Sequence, residues 1–563
     1  MNASLLNALS AAISDNPVHV LQLRKIVVAL AISGRLNAVD TSIGHAEILA
    51  LLGDVKRRHI SQRVLAKQKP NVAITPDQLP EDFTDPSKFI SLGHIARVEK
   101  GKTGIQQAKP GPYPLVVTAA ERITADHYDF DGAAAIIPLV SSTGHGNASI
   151  NRLHYQEGQF ALGTILAAVL PHDQALFSAR FLFEYLSAFK EELLVSRMTG
   201  TANVTLTLGR IEEVPIPLVS PVIQQQVDQL MALCDEMEAA RTERETKRDR
   251  LAAASLARLN TPDLETFRDD ARFALDALPA LTARPDQIKQ LRQTILNLAV
   301  RGKLVPQDLA DEPAERLLER ISTEKKRLMA EKGIRGQKPA LPAENFEMDA
   351  DIPGTWRHVY LQDIAYQITD GTHLTPRYTE TGKPFLSAQN VKPFRFMPEK
   401  HRFVSEQDFD SYRSNRRPER GDILLTRVGA GIGEAAVLDS DFEFAFYVSL
   451  CLVKVPTCCI NVEYLVLWLN SPEGRDSSSS RTYGKGASQG NLNLGLIRTF
   501  KIPLPPLAEQ HRIVAKVDEL MALCDQLEAS LTSADETRKK LLDALLAEAL
   551  MPTETVTLQA AAE

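Results

Sequence analysis

Three stretches of this chain carry residue types at spacings that could do chemistry. Gly429-Ala-Gly431-Ile-Gly433 follows the strand-like DILLTRV, the pattern of a glycine loop that holds a dinucleotide or S-adenosylmethionine. Such a loop needs a sixth-place glycine or alanine opening a helix, and an acid about twenty residues further on. The text continues instead as GEAAVLDSDFEFAFYVSLCLVKV, further strands with no acid near that place. Pro285-Asp286 with Glu324-Lys325-Lys326 imitates a metal-dependent nuclease, but both parts lie in helical text. Amino-group methylation of DNA uses an Asn/Asp-Pro-Pro-aromatic tetrapeptide, and the single Pro-Pro here, Pro505-Pro506, runs into Leu507. No GxxxxGK(S/T) or HExxH is present. No catalytic residue, metal or cofactor bound by this chain is expected.

Binding is what remains. The run KPFRFMPEKHR, from Lys392, and YRSNRRPER, with Arg413, Arg416, Arg417 and Arg420, interleave cations with Phe and Tyr. Such a patch suits phosphates, although for any one arginine a solvated loop is the plainer reading. Residues 81–215 hold 11 basic against 15 acidic residues, so there the case rests on polar loops: Lys100, Lys102, Thr118, Thr143, His145, Asn147 and Asn203. In residues 346–502 the loop candidates are Thr372, His373, Ser387, Gln389, Asn390, Lys485 and Gln489. Asn, Gln, Ser, Thr and Arg on loops are the types that read base edges.

These loops need carriers, and the carriers are repeated. VDQLMALCDEMEA from Val227 and VDELMALCDQLEA from Val517 agree at ten of thirteen positions. Their stripes are Val227, Leu230, Met231, Cys234, Met237 and Val517, Leu520, Met521, Cys524, Leu527. Each is preceded by an Ile-Pro-Leu element, Ile216–Leu218 or Ile502–Leu504, and the first copy lacks four residues between that element and the helix. A second helix type repeats LRKIVVALAISGRL from Leu23 as LRQTILNLAVRGKL from Leu291. Val20, Leu23, Val27 and Leu30 recur as Ile288, Leu291, Ile295 and Leu298, and Gly34 or Gly302 follows as the stop. Helix-compatible text from Val222 to Ala257 would span roughly 54 Å.

The order is that of a pseudo-two-fold object written in circular shift. This gives an α+β fold: two mixed α/β domains separated by long antiparallel helices, a coiled-coil spacer. The segments are residues 1–80 (helical), 81–215 (first α/β domain), 216–345 (central helical), 346–502 (second α/β domain) and 503–563 (C-terminal helical). A net charge of −7 does not advertise a polyanion partner, yet binding needs only a local basic surface. The N-terminal text has no basic leader and no apolar run of membrane length occurs. Five cysteines, Cys234, Cys451, Cys458, Cys459 and Cys524, without a CxxC pair fit a reducing cytoplasm.

The residues Ile502–Glu528, their twin from Ile216, Ile295–Ile321, Trp356 with Leu361–His373, and GDILLTRVGAGIG together resemble the specificity subunit of type I restriction–modification systems. The resemblance covers nearly the whole chain. It departs in the first half, which lacks a tryptophan matching Trp356 and the Pro-Leu-Ala-Glu-Gln that follows Ile502–Leu504. It implies a non-enzymatic subunit whose two recognition domains read a bipartite, asymmetric site in double-stranded DNA. Its helices would dock two modification subunits, with restriction subunits as further partners. S-adenosylmethionine, ATP and Mg would sit on those partners, and no membrane is involved. Arg427 would then either contact DNA or brace the glycine loop internally. The alternatives are a single-chain DNA modification enzyme and a protein-only coiled-coil scaffold.

Overall fold

A computed structural model describes residues 17–36, 44–61, 73–143, 146–201, 204–260, 266–336, 352–480 and 490–550. His145, Asn203, Lys485 and Gln489 lie outside the described residues. The chain forms two compact units, residues 1–246 with 533–563, and residues 247–532. The divisions fall inside two long helices, Pro221–Asn260 and Leu507–Leu550. The first has 40 residues, about 60 Å, four residues more than the sequence pattern suggests.

The first unit holds one α/β domain, or head. Four antiparallel strands run in the order Ala96–Lys100, Leu166–Pro171, Ala134–Pro138, His154–Gln156. A smaller sheet follows the order Ile123–Ala125, Tyr113–Val116, Gln159–Leu162, Phe130–Asp131, its middle pair parallel. Period-two alternation in the central strands decides what each face covers. Ile136 and Ala168 join Phe160 and Leu162 of the small sheet, while Ile137 and Val169 pack with Phe181, Leu182 and Tyr185 of helix Ala179–Ala188.

The second unit repeats this plan. Gln367–Asp370, Leu450–Lys454, Ile423–Thr426 and Ala435–Val437 form the large sheet. Tyr378–Thr379, Arg402–Val404, Lys383–Leu386 and Ala445–Phe446 form the small one, its last pair again parallel. Leu424 and Leu452 face Leu386 and Phe446; Leu425 and Val453 face Tyr464 and Trp468 of helix Val462–Asn470.

Each head closes on its Ile-Pro strand. Phe89–Ser91 pairs with Pro215–Pro217, and Arg357–Tyr360 with Lys501–Leu504. The sequence boundaries at 215 and 502 therefore cut through a strand, and each head ends two residues later than expected. A buried tyrosine hydroxyl donates to a carbonyl of that strand in both units: Tyr185 to Pro215 at 2.9 Å, Tyr464 to Pro503 at 2.7 Å.

The repeated helices pack as their stripes predict. Val227, Met231, Cys234, Val517, Cys524, Leu23, Val27, Ile288 and Ile295 are buried, and Leu30, Leu230, Leu291, Leu298, Leu520 and Met521 half-buried. In the first unit Arg24 reaches Asp235 and, at 3.4 Å, Glu238. In the second Arg292 reaches Asp525 at 2.6 Å and Glu528 at 3.2 Å. The same lock joins helix Pro17–Ile32 to the first copy of the repeat and helix Pro285–Val300 to the second.

The four missing residues are not where the sequence suggests. Gln224 Oε1 accepts from Ser178 N and its Nε2 donates to Val219 O; Gln510 does the same with Asn461 N and Pro505 O. Gln224 and Gln510 are therefore equivalent, and the helices begin at the matching residues Pro221 and Leu507. The deletion lies inside the helix, between Gln224 and Val227. Four residues turn a helix by about 400°, so the buried face returns to within roughly 40°.

Candidate nucleic-acid interface

The loop end of each head is defined by its central strand. In the first, Lys100 pairs with Ala167 and Pro138 with Leu166. Gly163 N donates to Val116 O, which brings Thr118 to the same end. Lys100, Lys102, Thr118, Thr143 and Asn147 are all exposed there. Lys102 Nζ lies 5.3 Å from the Phe130 ring centroid. The loop bearing Thr143 is held from within, Ser141 Oγ donating to Asn147 O at 2.5 Å. Beneath it Thr103 Oγ1 donates to Asp129 at 2.8 Å and meets His127 Nε2 at 2.9 Å. At the sheet's edge His154 is buried beside Arg122, and burial first, then that guanidinium, push its imidazole down to about 4.

The second head brings His373, Ser387 and Gln389 to the equivalent end, around Leu450. His373 and Gln389 are exposed and Ser387 half-buried. Four sequence candidates turn inward, which corrects their assignment as base or phosphate contacts. Asn390 is 1% exposed, and its Nδ2 donates to Met397 O and Lys400 O. Thr372 is buried and its Oγ1 accepts from Leu374 N. Arg413 is buried against Glu443 at 3.0 Å, its guanidinium 4.8 Å from the Phe409 ring centroid.

Arg427 is the fourth. It is 5% exposed and bound to the Asp370 carboxylate, to Leu492 O at 2.9 Å and to Val448 O at 3.2 Å. It ties the edge strand, the glycine loop and the segment before helix Leu494–Arg498 into one joint. The internal brace, not the contact, is its arrangement here. The glycine loop itself joins two antiparallel strands, with Thr426 N and Glu434 O at 2.8 Å across its neck. It opens no helix, so it lacks the N-terminal amides that hold a phosphate.

Arg416 and Arg417 belong to a different surface. They line a cavity of about 900 Å³ with Lys332, Arg335, Gln367, Thr369, Glu419 and Lys454. Lys332 and Arg335 could not be placed here from the residues alone, because they follow a helix remote in the chain. Glu419 accepts from Lys332 at 2.6 Å and Lys454 at 2.9 Å, which with those cations holds its carboxyl below the ordinary range against the effect of burial. Among the described residues no group of three or more His, Cys, Asp or Glu could hold a metal ion, and no helix is long and apolar enough to cross a membrane.

Residues 353–534 match the family described as type I restriction modification DNA specificity domain. The EcoEI specificity subunit of Escherichia coli is 26% identical, over 94% of this chain and 93% of its own length. The EcoAI specificity subunit of the same organism is 25% identical, over 93% and 92%. Over nearly its whole length the chain is similar to type I restriction enzyme specificity subunits. A solved chain from a type I R-M system, 16% identical, covers 82% of this chain and 97% of its own length at a TM-score of 0.48. The family match spans the second head and the start of the helix that follows, Leu507–Leu550. The first head lies outside it, and its kinship is carried by the shared strand plan.

Proposed function

We propose that this chain is the specificity subunit of a type I restriction–modification system, that it reads a bipartite, asymmetric site in double-stranded DNA, one half with each head, and that it catalyses nothing by itself. One observation carries the reading: two heads share one strand plan while their loop ends differ. Lys100, Lys102, Thr118, Thr143 and Asn147 stand at one, and His373, Ser387 and Gln389 at the other. Equal frames with unequal side chains suit two unequal half-sites.

Exposed identity within the repeat supports docking of two modification subunits. Burial accounts for the match of Val227 with Val517 and Cys234 with Cys524. It does not account for Leu233 and Leu523, equivalent residues 42% and 46% exposed. A leucine kept on the solvent side of both copies fits one partner surface met twice. In this reading the stripe residues form the spacer core, and S-adenosylmethionine, ATP and Mg belong to the modification and restriction subunits of a cytoplasmic complex.

The test is an exchange of residues 81–217 for the first head of another specificity subunit, keeping the Phe89–Ser91 and Pro215–Pro217 ribbon whole. Methylome sequencing should show one half-site changed and the other kept. Changes in both halves would defeat the assignment of one head to one half. Methylation by the isolated chain would point to a single-chain modification enzyme instead.

A further inference from the structure

One hairpin beside the glycine loop of the second head carries an aromatic ring that the fold does not use. Val391 pairs with Phe396 and Lys392 with Arg395, leaving Pro393 and Phe394 as the two-residue turn. Phe394 has φ 65°, the one non-glycine residue with positive φ among the described residues. Glycine or asparagine is the usual occupant of such a place, and a bulky side chain is held there against its backbone preference. Phe396, two residues on, packs on Phe444 with ring centroids 5.5 Å apart. Phe394 is 45% exposed.

The turn is held firmly. Phe394 N donates to Ala435 O at 3.0 Å, and buried Asn390 fastens the hairpin's return through Met397 O and Lys400 O. Ala435 opens the strand that leaves the glycine loop, so the tip stands at the loop end of the head. Lys392 and Arg395 flank the turn and are exposed, with Lys392 Nζ 3.5 Å from the Glu434 carboxylate.

We propose that Phe394 is a wedge that enters the base stack of the duplex at the second half-site, with Lys392 and Arg395 meeting phosphates on either side. The inference rests on the DNA reading above and adds to it a residue that deforms the duplex rather than reading an edge. Apolar side chains inserted between base steps kink DNA and let it wrap more protein surface. A cation on each side of the ring suits a polyanion better than an apolar pocket on a protein partner.

The test uses the complete complex with modification subunits and site-bearing duplexes. These carry 2-aminopurine at successive positions of the second half-site and its flank, other than the base that is methylated. Phe394→Gly suits the turn's backbone, so melting temperature and assembly should be unchanged or better. Wild-type complex should raise the fluorescence at one step; Phe394→Gly should abolish that rise and weaken binding about tenfold, while Phe394→Leu keeps most of both. Unchanged fluorescence in Phe394→Gly overturns the wedge, whether or not affinity falls. Loss of modification subunits without DNA would assign the ring to a protein contact and overturn it too. A wild-type complex that does not bind its site would overturn the DNA reading, and the wedge with it.

Discussion

Strand register places Arg427 of the second head where Leu139 stands in the first. Arg427 N donates to Ser449 O and its carbonyl accepts from Leu492; Leu139 N donates to Ile165 O and its carbonyl accepts from Leu206. The same register sets Asp370 against Lys100, through their pairings with Cys451 and Ala167. One head fills the joint with a buried ion pair, and the other fills it with leucine and leaves the lysine in solvent. The frame thus fixes where a side chain sits but not whether it serves the interior or the ligand. A cation on a recognition loop is a contact candidate only if nothing at the joint claims it.

The comparison can be broken most directly at that joint. Arg427→Leu would take the guanidinium from two carbonyls and from the Asp370 carboxylate, whose remaining side-chain partner is His373 at 3.0 Å, and should cost about 3–5 kcal/mol of stability. Adding Asp370→Leu, which removes the stranded carboxylate, should restore more than half of the loss. Urea unfolding of the two variants measures both, and a single-variant loss below about 1 kcal/mol would show the pair to be no more than a surface contact.

The two helix stops sharpen it further. Gly34 and Gly302 both have positive φ, 74° and 66°. A Cβ on Gly34 meets nothing within 4 Å, whereas one on Gly302 would meet Pro353 Cγ at 2.4 Å and the Trp356 ring at 3.1 Å. Gly34→Ala should therefore cost about 1 kcal/mol for the backbone alone, and Gly302→Ala about 3 kcal/mol with the clash. Equal shifts in thermal midpoint would mean that Pro353 and Trp356 give way freely.

Acid should separate the units more gently. His154 and His172 in the first unit are pushed down to about 4, mainly by burial. Their folded values lie below the unfolded value near 6.5, so the unfolded chain takes the proton first and this unit weakens as pH falls from about 6.5 to 4. In the second unit burial raises the Asp422 carboxyl to about 6, against the pull of Lys454. That group binds its proton more readily when folded, so its contribution grows as pH falls from about 6 towards 4. Hydrogen exchange on the full chain, corrected for intrinsic rates, should show Ala134–Pro138 opening before Ile423–Thr426 on acidification. Simultaneous opening, or the reverse order, would remove the distinction.

Much of this was legible in the residues. The repeated helices, their stripes and the glycine stops follow from periodicities of three to four residues and from backbone preference, which are local properties. The strand running into the glycine loop was equally plain, and so was the absence of a helix after it. The kinship of the heads was visible only as a loose skeleton, since few side chains are shared outside the strands.

The architecture of two heads on twice-written helices is already present in the residues, because hydrophobic period and turn chemistry are written in neighbouring positions. Which polar residues face out is settled by packing between distant segments. Arg427 meets Asp370 from 57 positions away, and Arg413 meets Glu443 from 30. That packing also decided where the four-residue gap falls, because Gln224 and Gln510 are matched by the head helix each one caps, not by the residues beside them. Burial and pairing are set by residues distant in the chain, and a loop's composition does not contain them.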